Sequence, residues 1–356
     1  KLPIKSRQIM FESMWGNKYS CNPRYLYEYI NENHPEYKCI WSFSDEHTPI
    51  NGNAIKVRKR SLKYYYYLAT SRYFINNGDF FEGFEKRPSQ IQVQTMHGTP
   101  YKKLGLDVES VYPTDESKRQ FTEKSALWDY LTVQSDFVDS IVKHAYGYRN
   151  ECLKFGYPRT DILYSGNNPD DINAIKEKLD IPLDKKVILY APTWRESGGF
   201  DLMLDLESLR KSLSDDYVLI LRLHHNSVKD WQAVKDEFVY DFSDYGSVEE
   251  LFLVSDILVT DYSSVMFDYA ILDRPIILFA YDLDEYVNEL RGVYFDIHEN
   301  RPGPILSTSR QVEDAIINID ETEKEYESSR RQFRDRFLQH ECEDSSRKIF
   351  EFITER

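Results

Sequence analysis

The regular alternation of apolar, strand-like runs with helical segments in the second half of the chain constrains the fold most. Three of these runs, at 186–192, 257–263 and 275–281, are rich in Val, Ile and Leu and show little polar alternation. A fourth, "YVLILRLHH", covers 217–225, and segments with helical periodicity lie between the runs. Strands that are apolar on both sides must be covered on both faces, so this pattern predicts a parallel sheet with helices on either side.

The first half shows a similar series, and the length of the chain favours two domains. Strand-like runs cover 37–43, 72–77, 91–95 and 129–135, and 137–147 has the pattern of a helix. A chain of 356 residues is at the upper limit of what one hydrophobic core supports. We therefore predict an α/β protein with two Rossmann-like domains whose parallel sheets face a central cleft. The predicted bounds are 1–160 for the N-terminal domain, 161–325 for the C-terminal domain, and 326–356 for a C-terminal helix that could pack back on the first domain.

Charge and cysteine content exclude several functional classes. The formal net charge of −15 argues against nucleic-acid binding, because phosphate backbones require a positive protein surface. The four cysteines are scattered and form no CxxC pair, which argues against a zinc site and favours reduced thiols in the cytoplasm. No apolar run approaches the ~18 residues that a membrane span needs.

A histidine at the end of a predicted strand is the first candidate catalytic residue. In "QVQTMHGTP" the alternation of apolar residues stops at His97, and Gly98 and Pro100 end the strand sharply. Ligands of open α/β sheets bind in the crevice outside the carboxyl ends of the strands, which is where His97 is expected. The alternative interpretation is a surface histidine in a turn.

The second half contains a candidate anion site at a strand-to-helix junction. In "VTDYSSVMFDYA" we expect Ser263 to cap a helix whose first N–H groups, together with Ser264, face an anion. Asp268 follows Ser264 by four residues and therefore lies on the same helix face. The alternatives are ordinary capping for the serines and a solvated carboxylate for Asp268.

Other basic and hydroxyl-bearing residues lie at the ends of neighbouring strands. Arg222 and His224 are two apart, so both point to one side of the sheet, where each can donate to a phosphate oxygen. Pro192 and Thr193 end the strand at 186–192, and Arg159 lies in the turn-rich segment between the two halves. The sequence predicts that these groups converge on one phosphate-binding cleft.

Several segments together resemble one known family. They are "MHGTPYKKLGLD", "FGYPRTD", "LYAPTWRE", "LRLHH", "VTDYSSVMFDYAILDRPIILFAYDLDEY" and "LRGVYFD" with "PGPI". In this order they are similar to the CDP-glycerol glycerophosphotransferases, enzymes of teichoic acid and capsule polymer synthesis. The resemblance implies a GT-B-like fold and transfer of glycerol phosphate from CDP-glycerol to a lipid-linked poly(glycerol phosphate) acceptor, with release of CMP. The family usually has tryptophan where this chain has Met96.

The resemblance also implies roles for individual residues. His97 corresponds to the general base that deprotonates the acceptor hydroxyl, and His224 to a donor to the pyrophosphate. Asp268 would contact a hydroxyl of the donor. The implied substrate-binding set is Gly98, Thr99, Pro100, Arg159, Pro192, Thr193, Arg222, Ser263 and Ser264. No acidic DxD motif stands at a suitable strand end, so we expect no metal and no cofactor.

The acceptor side and the choice of donor leave alternatives open. Within the stretch 55–74, the basic residues Lys56, Arg58, Lys59, Arg60 and Lys63 precede a run of four tyrosines at 64–67. This suits either a polyanionic acceptor with the inner membrane face or a solvated basic loop before a partly buried helix. We expect a cytoplasmic protein that is peripherally bound to the membrane. Alternative functions are ribitol-phosphate transfer from CDP-ribitol, sugar transfer from a sugar nucleotide, and polymer binding by a catalytically silent homologue.

Overall fold

The computed structural model divides the chain into two compact units. It describes residues 2–81, 83–193, 202–223, 236–283, 285–286 and 292–355. Unit 1 contains the described residues up to Gly98, then Leu104–Asp161, and those from Gln339 onwards. Unit 2 contains Thr99–Lys103 and Ile162–Leu338.

Unit 1 is built on a seven-stranded parallel sheet. Its strands are β1 (Lys5–Glu12), β2 (Lys38–Phe43), β3 (Ile55–Arg58), β4 (Ser71–Asn76), β5 (Ile91–Gln94), β6 (Tyr130–Thr132) and β7 (Glu151–Leu153). The spatial order is β3-β2-β1-β4-β5-β6-β7, so the direction of winding reverses between β1 and β4. Glu12 pairs with Asn76 at the carboxyl ends of these two strands.

The helices of unit 1 cover both faces of its sheet. They are α1 (Cys21–Asn33), α2 (Leu62–Thr70), α3 (Asp115–Ser125) and α4 (Asp136–Ala145). Ile9 and Phe11 of β1 pack in the cluster that contains α1, whereas Met10 packs on the opposite face with α2. Burial on both faces explains why β1 is apolar at three consecutive positions, 9–11, rather than at every second one.

Unit 2 repeats the same winding with six parallel strands. They are β8 (Lys186–Ala191), β9 (Tyr217–Leu221), β10 (Val239–Asp241), β11 (Ile257–Thr260), β12 (Ile276–Phe279) and β13 (Ile305–Leu306). The order β10-β9-β8-β11-β12-β13 reverses between β8 and β11, where Ala191 pairs with Thr260. Two parallel sheets of Rossmann type confirm the α/β class predicted from the sequence.

Short helices and one long helix pack around the second sheet. They are α5 (Asp161–Ser165), which begins at the unit boundary, α6 (Pro169–Lys178), α7 (Leu206–Leu213), α8 (Val248–Val254), α9 (Val265–Tyr269), α10 (Ser309–Ile317) and α11 (Ile319–Phe337). Within the described ranges, none of the helices is both long and apolar enough to cross a bilayer.

The prediction of a single C-terminal helix over 326–356 is wrong. The chain forms α11, which belongs to unit 2, and a separate helix α12 (Ser345–Thr354), which belongs to unit 1. Ile349 and Phe350 of α12 pack in the same core cluster as Ile9. Asp161 accepts hydrogen bonds from the backbone N–H groups of Ser345 and Ser346, both at 2.9 Å, which stabilises the first turn of α12.

Candidate active site

His97 stands on a strained turn directly after β5. The preceding residue, Met96, has a φ of 52°, and Gly98 has a φ of 136°. The first is a left-handed conformation that non-glycine residues rarely adopt, and the second is nearly restricted to glycine. This turn leaves the His97 side chain exposed while Thr95 and Met96 remain buried. Such strain is typical of residues that are presented for function.

The surroundings of the His97 imidazole favour its neutral form. Although the residue as a whole is exposed, surrounding protein partly displaces water from the imidazole, and this desolvation is the main reason why the pKa of His97 lies below its ordinary value. The positive charge of Arg159 lowers the pKa further, and a hydrogen bond to the backbone of Asn77 opposes the shift. An imidazole that donates one N–H to a backbone carbonyl keeps the other nitrogen available as a base.

Asn22 holds the turn that carries His97. Its side-chain Nδ2 donates to the carbonyl oxygens of Thr95 at 2.7 Å and of Met96 at 3.1 Å. Its Oδ1 accepts a hydrogen bond of 3.2 Å from the backbone N–H of Arg159. Asn22 is fully buried in the first turn of α1, so one amide connects the two loops that carry His97 and Arg159. The sequence contains no signal for this role beyond an Asn-Pro pair at a helix start.

Arg159 lies in unit 1 with His97. It occupies a 3₁₀ turn at Pro158–Thr160 and is almost fully buried. Its Nη1 lies 3.2 Å from the sulfur of Cys21, and its guanidinium lies over the ring of Tyr157. The structure therefore brings together two of the predicted site residues.

The motif that contains His97 is divided between the two units. Thr99 and Pro100 belong to the segment Thr99–Lys103, which packs within unit 2. The N–H of Lys103 donates to the carbonyl of Gly292, and Tyr101 accepts from Tyr294 at 2.9 Å. Thr99 is completely buried. His97 and Gly98 thus belong to one unit and the following two predicted residues to the other.

In unit 2, Thr193 and Asp261 form the central contact at the reversal point of the sheet. The backbone N–H of Thr193 donates to both carboxylate oxygens of Asp261, at 2.9 and 3.0 Å, and its hydroxyl donates to Oδ1 at 2.6 Å. Asp261 is almost completely buried. Pro192 precedes this contact at the end of β8, so two predicted residues lie at the expected strand end.

The serine pair after β11 differs in detail from the expectation. The N-cap of α9 is Ser264 rather than Ser263, and its side chain makes no capping hydrogen bond within the described residues. Ser263 lies one residue earlier, and its hydroxyl accepts a long bond of 3.5 Å from Val265. Asp268 is buried, so its interpretation as a solvated carboxylate is wrong. A helix of only five residues also offers less dipole than the sequence suggested.

Arg222 is anchored at the end of β9. Its Nη1 donates to the carbonyl oxygens of Phe242 at 2.6 Å and Ser243 at 2.5 Å. Burial lowers the pKa of Arg222, and the nearby carboxylates, first among them Glu249, oppose that shift, so the guanidinium stays charged at neutral pH. Its predicted neighbour His224 lies outside the described residues.

Residues 1–355 match the model of the family "CDP-Glycerol:Poly(glycerophosphate) glycerophosphotransferase". The chain belongs to this family. This confirms the resemblance inferred from the motifs. A Staphylococcus aureus protein named "Teichoic acid glycerol-phosphate transferase" is 42% identical over 368 residues, which are 99% of this chain and 94% of that protein.

A longer relative and a solved structure give the same result. The Bacillus subtilis "Teichoic acid poly(glycerol phosphate) polymerase" is 39% identical over 363 residues, or 98% of this chain. The chain spans about half of that relative, 49% of its length. The "Structure of the Wall Teichoic Acid Polymerase TagF" matches with a TM-score of 0.94 and 37% identity, over 99% of this chain and 89% of that chain.

Proposed function

We propose that this chain transfers glycerol phosphate from CDP-glycerol to the terminal hydroxyl of a lipid-linked poly(glycerol phosphate) or related acceptor, with release of CMP. The observation that carries the proposal is the presentation of a neutral, exposed His97 on a strained turn beside Arg159. Membership in the family and the glycerol phosphate in the names of both curated relatives support the choice of substrate.

In the proposed mechanism His97 acts as the general base. Its free ring nitrogen takes the proton of the acceptor hydroxyl, and the oxygen attacks the phosphorus that carries glycerol. A new O–P bond forms, the pyrophosphate bond breaks, and CMP leaves with the bridging oxygen and its electron pair. Positioning and charge stabilisation account for most of the rate in such transfers. Arg159, adjacent to His97, can stabilise the charge on the transferred phosphate.

Unit 2 is proposed to bind the nucleotide, and unit 1 the acceptor. Within the described residues the Arg222 side chain donates its hydrogen bonds through Nη1, which leaves the donors on Nη2 and Nε for a phosphate. Ser263 and Ser264 offer hydroxyls at the neighbouring strand end, and Asp268 is retained as the contact to a donor hydroxyl. His224 keeps its proposed role at the pyrophosphate.

A peripheral contact with the inner face of the membrane is proposed for α2. Leu62 is 90% exposed, and Tyr65 and Tyr66 beside it are 44% and 40% exposed. Lys63 is also exposed, so the helix offers an apolar and aromatic face with positive charge, which suits an anionic bilayer surface. Sedimentation with phosphatidylglycerol vesicles should fall for Leu62→Gln, whereas Leu183→Gln, an equally conservative change at an exposed leucine of unit 2, should have no effect.

Competition between donors tests the proposed function. With a lipid-linked acceptor, we expect CDP-glycerol to give a kcat/KM at least about tenfold above that of CDP-ribitol, and UDP-glucose to give no product. CMP release measures turnover, and the lengths of the products separate addition of one unit from polymerisation. A preference for CDP-ribitol would change the substrate, and absence of turnover with every donor would favour a silent polymer-binding protein.

A further inference from the structure

A cavity of about 390 Å³ lies in unit 1, at the point where the winding of its sheet reverses. Trp15 follows β1, Asp79 follows β4, and Arg60 follows β3, and all three line this cavity. Lys124 of α3 and Gln92 of β5 complete its polar lining, and three phenylalanines and a second tryptophan supply apolar surface. A reversal point between neighbouring parallel strands is where ligands of such sheets bind.

The backbone beside the cavity is strained in a way that exposes an indole. Met14, Trp15 and Gly16 have φ values of 46°, 55° and 82°, three consecutive residues in the left-handed region. Trp15 is 51% exposed, although tryptophan is usually well buried. A Cβ on Gly78 would lie 3.1 Å from the indole, a tight contact, so the glycine allows the ring to lie close to this backbone. Strain of this kind persists where the surrounding structure holds a functional geometry.

The charges around the cavity balance to one positive charge. Lys59 pairs with the buried Glu12 at 2.6 Å, so these two charges offset each other. Arg60, Lys124 and Asp79 then remain, two cations and one carboxylate. Burial raises the pKa of Asp79, which makes its carboxylate a strong acceptor that needs donors, and Lys124 and Lys59 oppose that shift. A phosphodiester carries one negative charge and therefore matches this balance.

Gln92 supplies an unused hydrogen-bond acceptor. It is 3% exposed, and its Nε2 donates to Asn76 at 3.2 Å, but its Oε1 has no partner in the part of the chain that the structure describes. A buried acceptor without a partner costs free energy unless a ligand satisfies it. Because Oε1 can only accept, the missing group must be a donor such as a hydroxyl.

We propose that this cavity binds the polyol phosphodiester unit that precedes the reacting hydroxyl of the acceptor chain. The proposal rests on the proposed function and names the acceptor subsite. Arg60 and Lys124 pair with the phosphodiester, Gln92 and Asp79 accept from polyol hydroxyls, and the C–H groups of the polyol lie on Trp15. The imidazole of His97 bonds to the backbone of Asn77, two residues before Asp79, which connects the base with the cavity wall.

Initial-rate kinetics with matched variants test the subsite. Trp15→Ala should raise the KM for the acceptor about tenfold or more, with kcat and the KM for CDP-glycerol within about twofold of wild type. Trp15→Phe, which keeps an aromatic face, should restore most of the loss. Lys124→Gln should raise the acceptor KM severalfold, whereas Lys118→Gln, an exposed lysine on the same helix, should not change it.

A binding titration separates this inference from the proposed function. Calorimetry with glycerophosphoglycerol, a soluble single repeat with one phosphodiester, should give saturable binding that Trp15→Ala weakens, whether or not the protein turns over CDP-glycerol. Glycerol 3-phosphate, a monoester, should bind more weakly. An acceptor KM unchanged in both Trp15→Ala and Lys124→Gln would overturn the proposal. So would a KM for CDP-glycerol that rises in parallel, because the cavity would then belong to the donor site.

Discussion

The two units solve the same structural problem at their reversal points with different side chains. In unit 1 the Oδ1 of Asn77, one residue after β4, accepts a 2.8 Å bond from the backbone N–H of Met14, two residues after β1. In unit 2 Asp261, one residue after β11, accepts from the backbone N–H of Thr193, two residues after β8. The geometry is equivalent, but unit 1 uses a neutral amide and unit 2 a carboxylate.

This difference separates the chemistry of the two units. The hydroxyl and the N–H of Thr193 both donate to the carboxylate of Asp261, so this negative charge is bound by the residues that follow β8. In unit 1 no charge stands at the equivalent place, and the backbone of Asn77 instead receives a hydrogen bond from His97. A carboxylate there would favour the imidazolium. The neutral amide therefore keeps the imidazole in its neutral form, ready to accept a proton, and variants at these positions test the comparison.

Removal of the base itself should have the largest effect. We expect His97→Ala to lower the rate of CMP release by ~10²–10⁴-fold, because a general base contributes about that much. Binding of CDP-glycerol, measured by calorimetry, should remain near wild type. His144→Ala, which removes an exposed histidine of the same unit, is the matched control. Near-normal turnover of His97→Ala would remove this residue from the mechanism.

Loss of the amide that holds the His97 turn should come next. Asn22→Ala removes three hydrogen bonds of 2.7–3.2 Å from a buried site, and misplacement of the base should lower kcat by roughly 10–100-fold. The melting temperature should also fall. Asn33→Ala, on the same helix but exposed, should change neither. A lowered melting temperature with unchanged kcat would assign Asn22 a purely structural role.

Introduction of the unit 2 carboxylate into unit 1 should shift the pH dependence. In the wild type the pKa of His97 lies below 6.5, so the neutral base persists to lower pH and the acidic limb of kcat/KM should lie below 6.5. Asn77→Asp adds a negative charge that favours the imidazolium, so the limb should move to higher pH, with the rate at pH 8 nearly kept. Arg159→Gln should also move it upward. An unchanged limb in both variants would show that another group titrates.

A weaker effect is expected from the equivalent contact of unit 2. Thr193→Val keeps the backbone bond to Asp261 and removes the 2.6 Å hydroxyl bond. The KM for CDP-glycerol should rise roughly 3–10-fold, as expected for loss of one hydrogen bond to a charged group, with little change in kcat. Thr322→Val on α11 is the control. A fall in kcat at constant KM would connect Thr193 with the chemical step instead.

The smallest effect is expected from removal of divalent cations. The arginine and hydroxyl donors of the proposed site can stabilise the negative charge of the phosphates, which a metal ion would otherwise do. With excess EDTA we therefore expect turnover within about twofold of the untreated enzyme. The assay uses a soluble acceptor at saturating concentration and no detergent. Complete loss that Mg²⁺ or Mn²⁺ restores would refute this expectation.

The second half of the fold could be predicted well because its strands are long and apolar. The strands at 186–191 and 276–279 lie where continuous Val, Ile and Leu predicted them. β1 was missed because it begins with the polar residues "KSRQ", and β3 and β7 have only four and three residues. Pairing with a neighbouring strand, β2 for β3 and β6 for β7, stabilises these short edge strands, and no local sequence pattern reveals that pairing.

The candidate site could be predicted from the sequence mainly where a strand ends. His97 and Thr193 follow predicted strands, so their places could be anticipated. Asn22 acts through a hydrogen bond to Thr95, which is distant in the sequence, and Gln92 acts through one unpaired side-chain oxygen. No local sequence pattern predicts either role. The αL backbone of Met96 was equally hidden, because methionine does not favour it.

The contribution of α12 to unit 1 has a consequence for the order of folding during synthesis. Ile349, Phe350 and Ile353 of α12 pack in the same core cluster as Ile9 and Phe11 of β1. Asp161 can accept the hydrogen bonds of Ser345 and Ser346 only after these residues are synthesised. At ~5–20 residues per second, the ribosome makes all of unit 2 first, which takes on the order of 10–40 s. The part of the unit 1 core that α12 covers therefore stays exposed while unit 2 is made, and this apolar surface is what a nascent-chain chaperone could bind.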